Sequence, residues 1–284
     1  MKKKAVEALE FDNEIIQARE AAVAAETDDE IIARLAEHFE VLEKMTKAVK
    51  SGDIRAMIVS GPPGVGKSHG VENVLEKADI FGKIAGWEPK YEIVKGTMSS
   101  IGLYAKLYEY SDEKSVIVFD DCDTVLMEDL SLNILKAALD SSKRRFISWN
   151  TDSRLLRSEG IPDRFEFKGA AIFITNIKFD QVKSKRLREH LNALESRCHY
   201  IDLQMDTARE KILRIKQIVA AGMLKDNDYD FTEDEVQEII DFIVDNKDKL
   251  RELSLRMVLK IANHRKTFPS SWQSMARSTC MRRI

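Results

Sequence analysis

The feature that most restricts this chain is one string of eight residues, Gly61-Pro62-Pro63-Gly64-Val65-Gly66-Lys67-Ser68. An apolar, β-rich run (Ala56–Ser60) precedes it and a helix-forming stretch (Val71–Lys77) follows. A GxxxxGK[ST] string between strand and helix lets backbone N–H groups turn inward around phosphates, and the helix N-terminus adds partial positive charge. Lys67 is expected to reach the β- and γ-phosphates and the Ser68 hydroxyl to ligate Mg²⁺. Gly61 to Ser68, with His69 beside them, form the expected binding set. The competing reading, a chance Gly/Pro turn before a helix, does not explain why strand and helix both stand in the required places.

A phosphate loop of this kind needs a carboxylate at the end of a neighbouring strand to hold the metal's water shell. Val116-Ile117-Val118-Phe119-Asp120-Asp121 supplies one, 53 residues after Lys67. Asp120 is expected on the Mg²⁺ side, and Asp121 to orient or deprotonate the attacking water. For Asp121 and Asp123 a second role stays open, capping the helix that follows.

Five short runs read as buried strands: Ala56–Ser60, Tyr91–Val94, Ser115–Phe119, Ala170–Thr175 and His199–Leu203. Helical stretches between them serve as crossovers, which predicts a doubly wound α/β fold with a parallel five-stranded sheet covered on both faces. Residues 1–50 read as helix. Thr27 and Glu30 form a capping-box pattern there, and Leu35, Phe39, Leu42, Met45 and Val49 make an apolar stripe. After Leu203 only helices are expected, starting near Thr207, Thr232 (a second capping box, with Glu235) and Ser254. The expected organisation is therefore a helical segment over 1–50, an α/β core over 51–205 and a small all-α lid over 206–284.

With 45 basic and 48 acidic residues the net charge is −3, but the middle of the chain departs from this balance. Lys143 to Arg188 holds 12 basic residues against 5 acidic ones, a local net of +7. No apolar run approaches the roughly 18 residues of a membrane span. Three scattered cysteines (Cys122, Cys198, Cys280) offer neither a disulfide framework nor a zinc site, the usage of a soluble protein in a reducing compartment.

From Ala56 to Lys266 the chain resembles the AAA+ ATPases, and its compact arrangement resembles the single-module members carried by tailed phages. GPPGVGKS looks like the family's Walker A and VIVFDD like its Walker B. Ala171-Ile172-Phe173-Ile174-Thr175-Asn176 looks like the strand ending in the sensor-1 residue, which makes Asn176 the candidate to position the lytic water. Leu194-Glu195-Ser196-Arg197 stands where the family carries its arginine finger, with Arg186 and Arg188 as rivals, and Ser254-Leu255-Arg256 looks like sensor 2. The resemblance implies ATP/ADP and Mg²⁺ bound between sheet and lid, and a homo-oligomer (a hexamer or related ring or spiral) in which Arg197 reaches the neighbouring subunit. It implies a cytoplasmic protein, in the host if phage-encoded. Two departures matter: Walker B ends in Asp-Asp rather than Asp-Glu, and Lys95–Gly102 lacks the pore-loop aromatic of peptide-threading members.

Phe146–Trp149 and Arg164–Phe167 alternate like strands, predicting a hairpin insertion near 143–168 around Asp152–Pro162. Its cations, with Trp149, Phe165 and Phe167 interleaved, suit sequence-independent nucleic-acid binding, and 183–188 is a second candidate patch. The alternative is a solvated hairpin whose aromatics pack on the domain. A protein partner docking on residues 1–50 also stays open. Asp226-Asn227-Asp228-Tyr229-Asp230 is no calcium loop, because Phe231 and Gln237 occupy its Gly and Glu positions. Trp272, Arg282 and Arg283 are candidates for a terminal helix docking on a neighbour.

Overall fold

Each of the five runs forms a strand of one parallel sheet. The computed structural model describes residues 21, 23–179, 182–225 and 229–282. Its first long helix, α1 (Asp28–Ser51), opens with the expected box: the Thr27 N–H donates to Glu30 Oε2 at 2.8 Å, and the Glu30 N–H to Thr27 Oγ1 at 3.3 Å. Then follow β1 (Ala56–Ser60), α2 (Lys67–Ile84), β2 (Tyr91–Lys95), α3 (Ser100–Glu109), β3 (Val116–Asp120), α4 (Thr124–Met127) and α5 (Asp129–Ala138). The chain continues through β4 (Phe146–Ser148), α6 (Arg154–Ser158), β5 (Arg164–Glu166), β6 (Ala170–Thr175), α7 (Lys185–Glu195) and β7 (His199–Asp202). Helices α8 (Ala208–Ile218), α9 (Glu233–Asp245), α10 (Leu255–Thr267) and α11 (Trp272–Cys280) complete it.

The sheet order is β2-β3-β6-β1-β7. Strands β1, β3 and β6 are buried at every residue, as β-branched runs covered on both faces must be. Parallel pairing aligns Ser60 with Thr175 and Lys95 with Asp120, so the strand ends that carry chemistry share one edge. Leu42 and Val49 of α1 pack with Met57, Val59, Val71 and Leu75 on one face. The other face holds a larger cluster including Tyr104, Phe119, Leu135 and Phe173.

The insertion differs in part from expectation. β4 and β5 do pair antiparallel, Phe146 with Glu166 and Ser148 with Arg164, but their connection holds a short helix capped by Ser153. Phe165 and Phe167 are buried, and Phe165 and Trp149 both pack on Tyr104. The sheet alternation turns these side chains into the domain, so they form no platform for bases.

The chain divides into two compact units. One is 38–61 with 66–204; the other takes the described residues up to Glu37, Pro62–Val65 and 205 onward. The second unit has its own core, with Ile239, Ile243, Leu250, Val258, Ile261 and Ala276 buried. Trp272 packs on Phe242 inside this core, which removes it from the proposed contact with a neighbour. Arg283, residues 1–20 and 226–228 lie outside the described residues.

Candidate nucleotide-binding site

The phosphate loop follows β1 and ends at Gly66, the N-cap of α2, whose φ of 102° a side chain would oppose. No acidic residue lies in the first turn, so nothing on the helix competes for an anion at its N-terminus. Gly64 is required twice over. Its φ is +72°, and a Cβ there would stand 2.6 Å from Ser254 Cβ. Its carbonyl accepts the Leu255 N–H at 2.8 Å, so the loop rests on the start of α10, with Arg256 on the adjacent turn. Pro62 and Pro63 flank this contact, Val65 is buried, and His69 points outward to Asn73 at 2.9 Å.

Side chains from the start of α2 and from the ends of β3 and β6 converge behind the loop. Lys67, 6% exposed, donates to Gly61 O and Asn176 Oδ1, both at 2.7 Å. Asn176 Nδ2 donates to Asp121 Oδ1 at 3.0 Å. Ser68 Oγ donates to Asp120 Oδ1 at 2.8 Å. Thr175 Oγ1 donates to Asp123 Oδ1 at 2.7 Å, so Asp123 anchors the sensor strand, although it sits at the N-cap of α4 without a capping bond. Asp121 lies in the left-handed region at φ 51°, where Asp is tolerated and longer side chains are disfavoured. That gives a backbone reason for Asp at a position where Glu was expected.

Ser68 and Asp120 place two hard oxygens side by side. Mg²⁺ takes one or two protein oxygens plus phosphates and water, so this pair fits it. Sequence reasoning missed Lys95, whose Nζ lies 3.6 Å from Asp120 Oδ2. Strand register alone brings the two together, and a single sequence carries no sign of that pairing. Arg197 is exposed just before β7, whose His199 pairs with Met57 at the start of β1. It therefore stands at the opposite sheet edge, about 15 Å of strand away from the loop of its own chain. Arg186 pairs with Asp129 at 2.5 Å, and Arg188 Nε bonds Val182 O at 3.0 Å.

The strand order, the loop on β1, the paired acids on β3 and the polar residue ending β6 define a P-loop site at one end of a parallel five-stranded sheet. The chain belongs to the same family as an uncharacterized 36.7 kDa protein from the nrdC-mobD intergenic region of Enterobacteria phage T4, with which it is 34% identical over 254 residues, 88% of this chain and 76% of the other. No family model matches the chain. Among solved structures it is similar to the replication initiator DnaA bound to AMPPCP and single-stranded DNA (TM-score 0.46, 11% identity, 84% of this chain and 63% of that one). It is also similar to domain III of the Thermotoga maritima DnaA (TM-score 0.45, 10% identity, 87% and 92%) and to the Aeropyrum pernix ORC2 protein in its ADP form (TM-score 0.45, 12% identity, 88% and 68%).

Proposed function

We propose that this protein is an ATPase whose hydrolysis occurs at sites shared between subunits of a ring or spiral and drives work on nucleic acid. The observation that carries the ATPase reading is the chain Lys67–Asn176–Asp121, in which phosphate-binding, sensor and base positions are already hydrogen-bonded to one another. With ATP bound, Lys67 exchanges Asn176 for a phosphate oxygen. Asn176 is then free to hold a water toward Asp121, which accepts its proton. Ser68 and Asp120 hold Mg²⁺, which when bound neutralises developing phosphate charge. Arg256, beside Gly64, supplies a further cation, and Arg197 supplies one to the neighbouring subunit.

The nucleic-acid reading is supported by the +7 segment from Lys143 to Arg188, whose exposed cations suit a phosphate backbone. The phage relative fits a protein working in a host cytoplasm. A second reading, a slow ATP-dependent assembly switch, is favoured by the short Asp121 carboxylate.

The test is steady-state ATPase per subunit against protein concentration, with and without single-stranded DNA. Rates rising steeply with concentration and further with DNA are expected. Rates indifferent to DNA would move the reading to remodelling of a protein complex, and negligible rates despite tight ATP binding to the switch.

A further inference from the structure

The sheet edge opposite the phosphate loop carries a cleft of about 510 Å³ that the proposed ATP chemistry does not use. Its cations are Arg55, Lys114, Lys143, Arg144, Arg145 and Lys168, against the carboxylates Glu113 and Glu166. They come from the N-terminal ends of β1, β3 and β6 and from the start of the insertion, and those three strands are adjacent in the sheet.

The cleft holds two guanidiniums that make no ion pair among the described residues. Arg145, 6% exposed, donates to Ala138 O and Gly169 O, both at 2.9 Å, and lies over the Phe167 ring. Arg55 donates to Asp140 O at 3.1 Å and Ser142 O at 3.0 Å. All four acceptors are main-chain carbonyls. A carbonyl positions a guanidinium but does not neutralise it, so the buried Arg145 keeps its positive charge at the base of the cleft and feels the charge of the exposed Arg55. Burial, and after it the charge of Arg55, pushes Arg145 down to about 10 against the opposing pull of Glu166. The two carboxylates do little to relieve it. Glu166 is held in a two-pronged pair by Arg144 at 2.9 and 3.0 Å, and Glu113 lies 3.8 Å from Lys168. Lys114 and Lys143 are exposed and have no ion pair among the described residues.

A guanidinium has five N–H donors; the exposed Arg55 makes both of its carbonyl bonds from one terminal nitrogen, which leaves its other terminal nitrogen and Nε as a fork of the kind that grips phosphate oxygens, while the buried Arg145 contributes charge from behind. Cations at three adjacent strand ends span about 10 Å at the usual strand spacing, which matches roughly three nucleotides of a strand rather than one isolated anion. No exposed aromatic lines the cleft, so it reads charge and spacing and not base identity. We propose that this cleft seats the phosphodiester backbone of a nucleic-acid strand. The inference rests on the nucleic-acid reading above and assigns its site to the sheet edge away from the phosphate loop.

The experiment uses the full chain with a non-hydrolysable ATP analogue and a labelled single-stranded oligonucleotide, followed by anisotropy across a salt series. The double variant Lys114→Asn, Lys143→Glu changes only exposed rim residues, and Asn tolerates the positive φ of 65° at position 114. Lys44→Gln, Lys47→Glu on α1 carries the same charge change as a control. The cleft variant should lose affinity on the order of tenfold at low salt, and the slope of log affinity against log salt should shrink by about 1.4 for two lost contacts. The control should keep both. Unchanged binding by the cleft variant, with a wild type that binds, would overturn the cleft assignment and leave the nucleic-acid reading intact. A wild type that binds no oligonucleotide would overturn the reading itself. Displacement of the oligonucleotide by polyglutamate at equal charge concentration would also sink the assignment, since it would show generic anion attraction.

Discussion

Asn176 Oδ1 accepts a hydrogen bond from Lys67 Nζ at 2.7 Å, which ties the end of β6 to the phosphate loop across 109 residues of sequence. The same side-chain amide reaches Asp121. Asn176→Ala breaks both links at once. It should lower the ATP turnover number by about 10² while changing nucleotide affinity by less than about threefold, because only water positioning is removed. Single-turnover hydrolysis beside equilibrium binding of labelled ATP separates the two. A loss confined to affinity would show that Asn176 acts only as a resting partner for Lys67.

Asp121→Glu sets chemistry against backbone. The longer carboxylate reaches nearer to the attacking water, so turnover should rise several-fold. At φ 51° the left-handed conformation costs roughly 1 kcal/mol for a residue without Asp's tolerance, so the melting temperature should fall by a few degrees. Faster turnover with lower stability is the expected pair. Lower turnover would mean that the short side chain is already in the working position.

These two sites mark where sequence reasoning reaches and where it stops. The strands were legible because each is a short β-branched run between polar residues. The caps at Thr27 and Thr232 were legible because their partners lie three residues away. Lys95 was not, since it meets Asp120 only through the pairing of β2 with β3. The inward turn of Phe165 and Phe167 was not, since alternation fixes two faces but not which one the domain covers. Nor does any local pattern mark Arg145, a basic residue in a basic run, as buried on main-chain carbonyls.

Gly64 can be tested against a matched control. Gly64→Ala meets both a φ of +72° and Ser254 Cβ at 2.6 Å, whereas Gly86→Ala meets a φ of +74° and nothing within 4 Å. The Gly86 variant should lose about 1 kcal/mol from backbone strain alone. The Gly64 variant should lose clearly more and bind ATP weakly, because the phosphate loop itself must move. Denaturant melts of both, with ATP titrations, make the comparison. Equal losses would mean that the approach to Ser254 relaxes freely.

The Thr232 N–H, bonded to Glu235 Oε2 at 3.0 Å, holds the Glu235 carboxyl below the usual range. A carboxyl depressed in the folded state stabilises above its unfolded pKa of about 4.3, and that contribution fades as pH falls through the folded value. Glu235→Gln keeps an acceptor but no charge. It should therefore be less stable than wild type at pH 7, and the gap should close in acid. Urea melts of both across this range give the answer, and a gap independent of pH would assign the effect to shape rather than charge.

Arg197 stands at the N-terminal end of the sheet and Lys67 beyond its C-terminal end, so no single chain joins them without crossing the length of β1. A head-to-tail assembly removes that obstacle by bringing one subunit's Arg197 to the next subunit's loop. Arg197→Ala and Lys67→Ala subunits should each be inactive alone, the first for want of a donated cation, the second for want of phosphate binding. In a mixture, a Lys67→Ala subunit still offers Arg197 to an Arg197→Ala neighbour whose loop is intact. Part of the activity should return, peaking near equal amounts, since one productive junction needs one subunit of each kind. An arginine in trans is worth about 10³–10⁵ in rate where it completes a phosphoryl-transfer site, so even a minority of repaired junctions lies well above background. Recovery at no ratio would remove Arg197 from the site and leave its exposed position at the sheet edge to some other contact.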